Sequence, residues 1–163
     1  MFAVAIVTLS DSGYAGRRED LSGPIIEELC RTDGFRISHT ILLPDDKEMI
    51  SAELRKICDN HLADLIITTG GTGFSPRDWT PEATSAVADR FVPGISEFLR
   101  SSVMPRMKRA MLSRGVSVIR KQTLIVNLPG NPNAVRENME YLLPVLPHGL
   151  EILTGIAGDC ANT

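Results

Sequence analysis

The feature that most constrains this chain is the apolar run Phe2 to Leu9, which stops abruptly at Ser10-Asp11-Ser12-Gly13. A continuous apolar run of that length reads as a strand buried on both faces, which requires cover above and below it. The segments after Gly13 supply that cover. Ile25, Ile26, Leu29 and Cys30 recur at helical spacing after the start signal Ser22-Gly23-Pro24. Arg36 to Leu43 returns to strand character and ends at Pro44-Asp45-Asp46. Ile50, Leu54, Ile57 and Cys58 mark one face of a second helix with an aspartate at its start. Asp64 to Thr69 forms a third strand and runs into Gly70-Gly71-Thr72-Gly73. Strands alternating with helices in this order predict a three-layer α/β sandwich, a mostly parallel sheet with helices on both faces.

The second half is less regular. Thr80-Pro81 predicts an N-cap followed by proline at the first helical position. Gly94 and Pro105 break the region from Pro93 to Met111 into irregular helical pieces. Val116 to Arg120 and Leu124 to Leu128 flank Lys121-Gln122-Thr123 and predict a hairpin in the C-terminal part. Val135, Met139, Leu142, Leu143 and Leu146 then trace a helical stripe that reads as core or interface. No repeat or linker divides the chain, and 163 residues suit a single domain, 1–163.

Composition narrows the partners. The net charge is −3, which argues against non-specific nucleic-acid binding, since that needs a basic excess. Arg106, Lys108, Arg109, Arg114, Arg120 and Lys121 nevertheless gather in sequence, as a patch for a small anion or as solvated surface charge. Three cysteines, Cys30, Cys58 and Cys160, far apart and odd in number, predict neither a disulfide framework nor a zinc site. Cys30 and Cys58 fall on apolar stripes and read as buried hydrophobes. With no apolar run long enough for a bilayer and no visible signal peptide, the expected location is cytoplasmic, without a membrane partner.

In an open parallel sheet, ligands bind beyond the carboxyl ends of the strands. Ser10-Asp11-Ser12, Pro44-Asp45-Asp46, Gly70-Gly71-Thr72-Gly73 and Pro129-Gly130-Asn131 all leave strands, and parallel strands put such exits on one edge. Glycines allow positive φ and close approach of backbone to a ligand, and free N–H groups there can form an anion nest. The loop is not a Walker A motif, since no glycine is followed by lysine. It is not the dinucleotide fingerprint either, since Pro76 stands where the third glycine belongs. Ser75, Arg77 and Asp78 follow within a few positions, and both Thr80-Pro81 and Asn131-Pro132 offer helix N-termini, which favour anions. Asp45 and Asp78, on two loops of one edge, suit magnesium, which takes oxygen ligands and often pairs one or two carboxylates with substrate phosphates. The alternative for each aspartate is a helix cap or turn residue. His39, His61 and His148 fit no metal motif, and no G-x-S-x-G elbow is present. Trp79 reads as packing under the loop rather than touching a ligand.

Thr69-Gly70-Gly71-Thr72-Gly73-Phe74-Ser75-Pro76-Arg77-Asp78-Trp79-Thr80-Pro81-Glu82-Ala83 resembles the signature of the molybdenum cofactor biosynthesis family, which includes the Mog-type and MoaB-type bacterial proteins and the G domain of gephyrin. Leu128-Pro129-Gly130-Asn131-Pro132 resembles its second motif, and Ser10-Asp11 and Leu43-Pro44-Asp45 match as well. The likeness runs from about Ala3 to Gly155. It implies a molybdopterin-binding α/β domain, usually a homotrimer. In Mog-type members the phosphate of molybdopterin attacks the α-phosphorus of ATP with Mg2+ present, giving adenylylated molybdopterin and pyrophosphate. By the resemblance, Asp45 and Asp78 are the catalytic and metal-holding carboxylates. Gly70, Gly71, Thr72, Gly73 and Ser75 form the phosphate and nucleotide loop, Pro129, Gly130 and Asn131 the pterin-side loop, and Ser10 and Asp11 lie near the nucleotide. Transient contact with the molybdenum-inserting enzyme is also implied. Two other readings compete: a MoaB-like or gephyrin-like protein that holds the pterin without chemistry, and a pyrophosphatase of the same fold.

Overall fold

The computed structural model describes residues 1–156, so Cys160 lies outside the described residues. Six strands form one sheet: β1 (Ala3–Leu9), β2 (Arg36–Leu43), β3 (Leu65–Thr69), β4 (Arg90–Phe91), β5 (Ser117–Arg120) and β6 (Thr123–Leu128), in the order β2-β1-β3-β6-β5-β4. The pairs β1–β2, β1–β3 and β3–β6 are parallel, while β5 runs antiparallel to β6 and β4 antiparallel to β5. The expected mostly parallel sheet with a hairpin toward the C-terminal end is therefore the one observed. Lys121 takes up the hairpin's tight turn with φ of 52°.

Helices cover both faces: α1 (Asp11–Tyr14), α2 (Ser22–Thr32), α3 (Lys47–Asp59), α4 (Thr80–Ser85), α5 (Pro93–Val103), α6 (Pro132–Leu142) and α7 (Leu146–Thr154). Strand side chains alternate between two cores, as a period of two demands. Val4, Ile6, Leu65, Ile67, Val126 and Leu128 pack with Ile26, Val135, Met139 and Leu150 on one side. Ala5, Val7, Leu9, Ile66 and Ile125 pack with Ile50, Leu54, Ile57 and Ala83 on the other. Each fully buried Ile or Leu contributes about 1.5–3 kcal/mol, so the four central strands with their two layers of helices carry most of the stability. Cys30 and Cys58 are free thiols inside these cores, and burial pushes them up to about 12 and about 11. They serve as hydrophobes, as their place on the apolar stripes indicates.

Two local expectations need correction. Thr80 is not the N-cap of α4: the helix begins at Thr80 after Trp79, and the Thr80 hydroxyl donates instead to the Gly70 carbonyl at 2.8 Å. Gly94 does not break the following region, because it lies in the first turn of the regular helix α5, where a poor helix former costs least. A short 3-10 segment, Lys108–Leu112, comes after it. The stripe Val135, Met139, Leu142, Leu143 and Leu146 lies in the core, as expected, and is divided between α6 and α7 because Pro144 has no N–H with which to continue α6.

The register positions the edge. Leu9 pairs with Leu43, Thr8 with Thr69, and Thr69 with Leu128. Ser10, Pro44, Gly70 and Pro129 thus leave four neighbouring parallel strands at nearly one level.

Candidate functional site

Each of the four exits is held by short polar links. Ser10 caps α1, its Oγ accepting from the Gly13 N–H at 3.0 Å. Asp11 and Asp45 exchange bonds: the Asp11 N–H donates to the Asp45 carboxylate at 2.8 Å, and the Asp45 N–H donates to the Asp11 carboxylate at 3.0 Å. Arg77 forks onto both Asp11 oxygens at 2.9 Å, which holds the Asp11 carboxyl below the usual range. The cap of α3 is Asp46, which accepts from Met49 N–H at 2.9 Å. That division leaves Asp45 with no capping role. Its Oδ1 is buried without a hydrogen-bond partner among the described residues. Burial raises the Asp45 pKa, opposed by the Asp11 N–H and reinforced by the negative charges of Asp11 and Asp78.

The glycine loop is dictated sterically. Gly70 has φ of 100°, and a Cβ there would lie 2.3 Å from the Leu9 carbonyl oxygen. Gly71 has φ of 63°, and its Cβ would meet Thr80 Oγ1 at 2.3 Å and Asp45 Oδ1 at 3.1 Å. The Gly70 N–H is occupied by the Leu128 carbonyl at 3.1 Å, so the expected nest loses its first donor. No described protein acceptor takes the N–H groups of Gly71, Thr72 or Gly73. The exit of β6 closes the floor: Thr69 Oγ1 donates to the Pro129 carbonyl at 2.8 Å, and Ser22 Oγ to the Gly130 carbonyl at 2.9 Å. Asn131 caps α6 through its side chain.

Ser10, Asp45, Gly70, Gly71, Asp78, Gly130 and Asn131 line one cavity of about 370 Å³. Thr72, Gly73, Pro129 and again Asn131 line a second, more apolar cavity of about 420 Å³, bounded by Leu99, Val103, Met107 and Asn138. The loop from Thr72 is the shared wall. Asp11 and Ser75 line neither cavity. Asp11 braces Asp45 from behind, while the Ser75 N–H donates to Asp78 Oδ2 at 3.0 Å. Trp79 is exposed and lines neither.

Two site residues are not evident from sequence pattern. Arg114, one of the clustered basic residues, donates to the carbonyls of Gly73 and Asp78, each at 2.7 Å, and pairs with Glu82. It clamps the loop that carries Asp78. The patch itself is dispersed, for Arg120 and Lys121 pair with Asp59 and Arg106 with Glu137. The second is Asp20, which accepts from Thr8 Oγ1 at 2.7 Å and from the N–H groups of Ser22 and Gly23, both at 3.0 Å. It anchors the first turn of α2 beside the first cavity. Only the capping signature of an aspartate before Ser22-Gly23 points to it.

Among the described residues no cluster of three His, Cys, Asp or Glu side chains could hold a metal. The first cavity instead has Asp45 and Asp78 among the four carboxylates that line it, Asp45 with an unpartnered oxygen. That all-oxygen donor set fits magnesium shared with a ligand's phosphates.

A mostly parallel sheet whose strand ends carry a glycine loop and an acidic cleft defines an open-sheet α/β binding domain. The chain belongs to the molybdopterin-binding domain family: the family described as "Probable molybdopterin binding domain" matches residues 5–148. The molybdopterin adenylyltransferase of Haemophilus influenzae is 41% identical, covering 98% of this chain and 88% of its own length. That of a Helicobacter pylori strain is 36% identical, covering 93% and 88%. Among solved structures, the molybdopterin biosynthesis enzyme MoaB of Thermus thermophilus superposes with a TM-score of 0.90 at 46% identity, covering 95% of this chain and 98% of that one.

Proposed function

We propose that this chain is a molybdopterin adenylyltransferase, joining AMP from ATP to the phosphate of molybdopterin with release of pyrophosphate. The observation that carries the reading is the convergence of Asp45, with its unpartnered Oδ1, and Asp78 on one glycine-lined cavity. The names and high coverage of the relatives support it.

Asp45 and Asp78 would hold Mg2+, which when bound neutralises phosphate charge. The free N–H groups of Gly71, Thr72 and Gly73 take non-bridging oxygens, where charge grows in the transition state. The attacking phosphate of molybdopterin is already ionised near neutral pH, so no general base is needed. The residues' task is therefore in-line positioning. The two cavities on either side of the Thr72 loop suit two substrates: the acidic one takes the nucleotide phosphates, and the apolar one takes the flat pterin. Asn131 borders both, at the place where the phosphates would meet.

A single domain over 1–163, a homotrimer, transient contact with the molybdenum-inserting enzyme and a cytoplasmic setting belong to the same proposal. Exposed Phe91, Phe98, Val145 and Ile156 supply apolar surface for association. Among the described residues no helix is long and apolar enough to cross a membrane.

The test is pyrophosphate release from ATP and Mg2+, with and without molybdopterin. Release that requires the pterin supports the transferase. Release without it indicates a hydrolase, and silence in both arms indicates a binding protein.

A further inference from the structure

The cavity assigned to the triphosphate has an uneven wall. Among the described residues, Glu19, Asp20, Asp45 and Asp78 supply its acidic groups, and Arg18 is its single basic residue. Of the other arginines nearby, Arg77 is engaged by both oxygens of Asp11, Arg114 by two loop carbonyls and Glu82, and Arg17, next to Arg18, does not line the cavity. Arg18 makes no ion pair or side-chain hydrogen bond with any described residue. Asp20 beside it has both carboxylate oxygens in use, on Thr8, Ser22 and Gly23.

The surrounding chain explains how Arg18 can serve this cavity. The connection between α1 and α2 is pinned at both ends. Ser10 caps α1 at one end, and Asp20 ties the start of α2 to β1 at the other. Residues 14–19 between them are exposed, and Gly16 has φ of 70° with open space where a Cβ would go. Arg18 therefore sits on a short exposed arm and lines the same cavity as Gly70 and Gly71.

We propose that Arg18 contacts the β- and γ-phosphates of ATP and stabilises pyrophosphate as it leaves. The inference rests on the adenylyl-transfer reading. In that reaction an oxygen of the molybdopterin phosphate bonds to the α-phosphorus, and the bond from the α-phosphorus to the αβ-bridging oxygen breaks. The bonding pair departs on that oxygen with pyrophosphate. Negative charge thus grows on the part of ATP farthest from the acceptor. A guanidinium with its N–H donors free matches that group in charge and fork geometry. The aspartates cannot supply a positive charge of their own.

The experiment compares wild type, R18A and R18K in two measurements. The first is calorimetric binding of ATP with Mg2+, of AMP, and of inorganic pyrophosphate with Mg2+. The second is adenylylated product formed from ATP and molybdopterin. R18A is expected to weaken ATP and pyrophosphate binding by about tenfold or more, the range of one charge-assisted contact, and to leave AMP binding unchanged. R18K is expected to recover part of the loss. Unfolding curves check that all three proteins fold alike, which the exposure of Arg18 favours. ATP affinity and product formation both unchanged in R18A would overturn the contact while leaving the transfer reading intact. A tenfold loss of ATP affinity in R18A, with no product from wild type, would uphold the contact and overturn the transfer reading. Equal loss of AMP and ATP binding would place Arg18 on the nucleoside side and overturn the proposal.

Discussion

Asp11 and Asp45 hold one another by reciprocal bonds, each backbone N–H donating to the other's carboxylate, at 2.8 and 3.0 Å. The exchange joins the exits of β1 and β2. It fixes Asp45 while using only its Oδ2, so Oδ1 stays buried and unpartnered. A polar atom buried in that way destabilises the fold unless something binds it, and this is the cost a ligand-holding carboxylate carries.

D45N is therefore expected to stabilise the protein while abolishing its chemistry. The neutral amide keeps an acceptor for the Asp11 N–H and removes the buried charge. Because the folded-state pKa of Asp45 is raised, wild-type stability from this group is full below the ordinary carboxylate range and is lost as pH rises through the raised value. The melting temperature of D45N should thus exceed that of wild type, by a margin that widens from the carboxylate range toward neutrality. Product formation should fall more than about 100-fold, the scale of losing one key electrostatic group. Melting curves across pH, paired with product assays, check both halves.

Arg114 clamps the Asp78 loop through two carbonyls and Glu82. R114K retains the charge and loses the planar fork: its three donors sit on one nitrogen and do not span the three acceptors that Arg114 reaches from three nitrogens. The expected cost is about 2 kcal/mol, or roughly 4–8 °C in melting temperature. Turnover should fall about tenfold or more, as misplacement of Asp78 requires. Thermal unfolding and steady-state kinetics measure the two effects.

Gly70 and Gly34 both have positive φ, at 100° and 85°, in opposite surroundings. A Cβ at Gly70 would lie 2.3 Å from the Leu9 carbonyl oxygen, whereas nothing lies within 4 Å of one at Gly34. G70A should lose about 2–4 kcal/mol, combining left-handed strain with backbone displacement. G34A should lose only about 1 kcal/mol, the strain alone. Denaturant titration of the two variants separates steric from conformational cost.

Much of the fold is readable from the chain. The run Phe2 to Leu9 and the helical stripes on Ile26–Cys30 and Ile50–Cys58 have single-period patterns, and the sheet with its two layers follows from them. The shared edge follows because parallel strands must exit on one side. The features that pattern does not reveal depend on side chains choosing among nearby partners. Thr80 has the sequence context of a cap and bonds Gly70 instead. Of two adjacent aspartates, Asp46 caps α3 and Asp45 does not, a choice that propensity alone does not make. Arg114 stands in a basic cluster, yet its partners lie 32 to 41 residues away in sequence. Arg77 is 66 residues from Asp11. Contacts at such separations leave no periodic trace.

The most direct test of the central claim incubates the chain with ATP, Mg2+ and molybdopterin and detects adenylylated molybdopterin by mass spectrometry, with D78A as the comparison. The expected result is product from wild type, accompanied by equimolar pyrophosphate. D78A, folded and melting near wild type, should form it at least about 100-fold more slowly. A folded D78A that makes the product at the wild-type rate would contradict the claim.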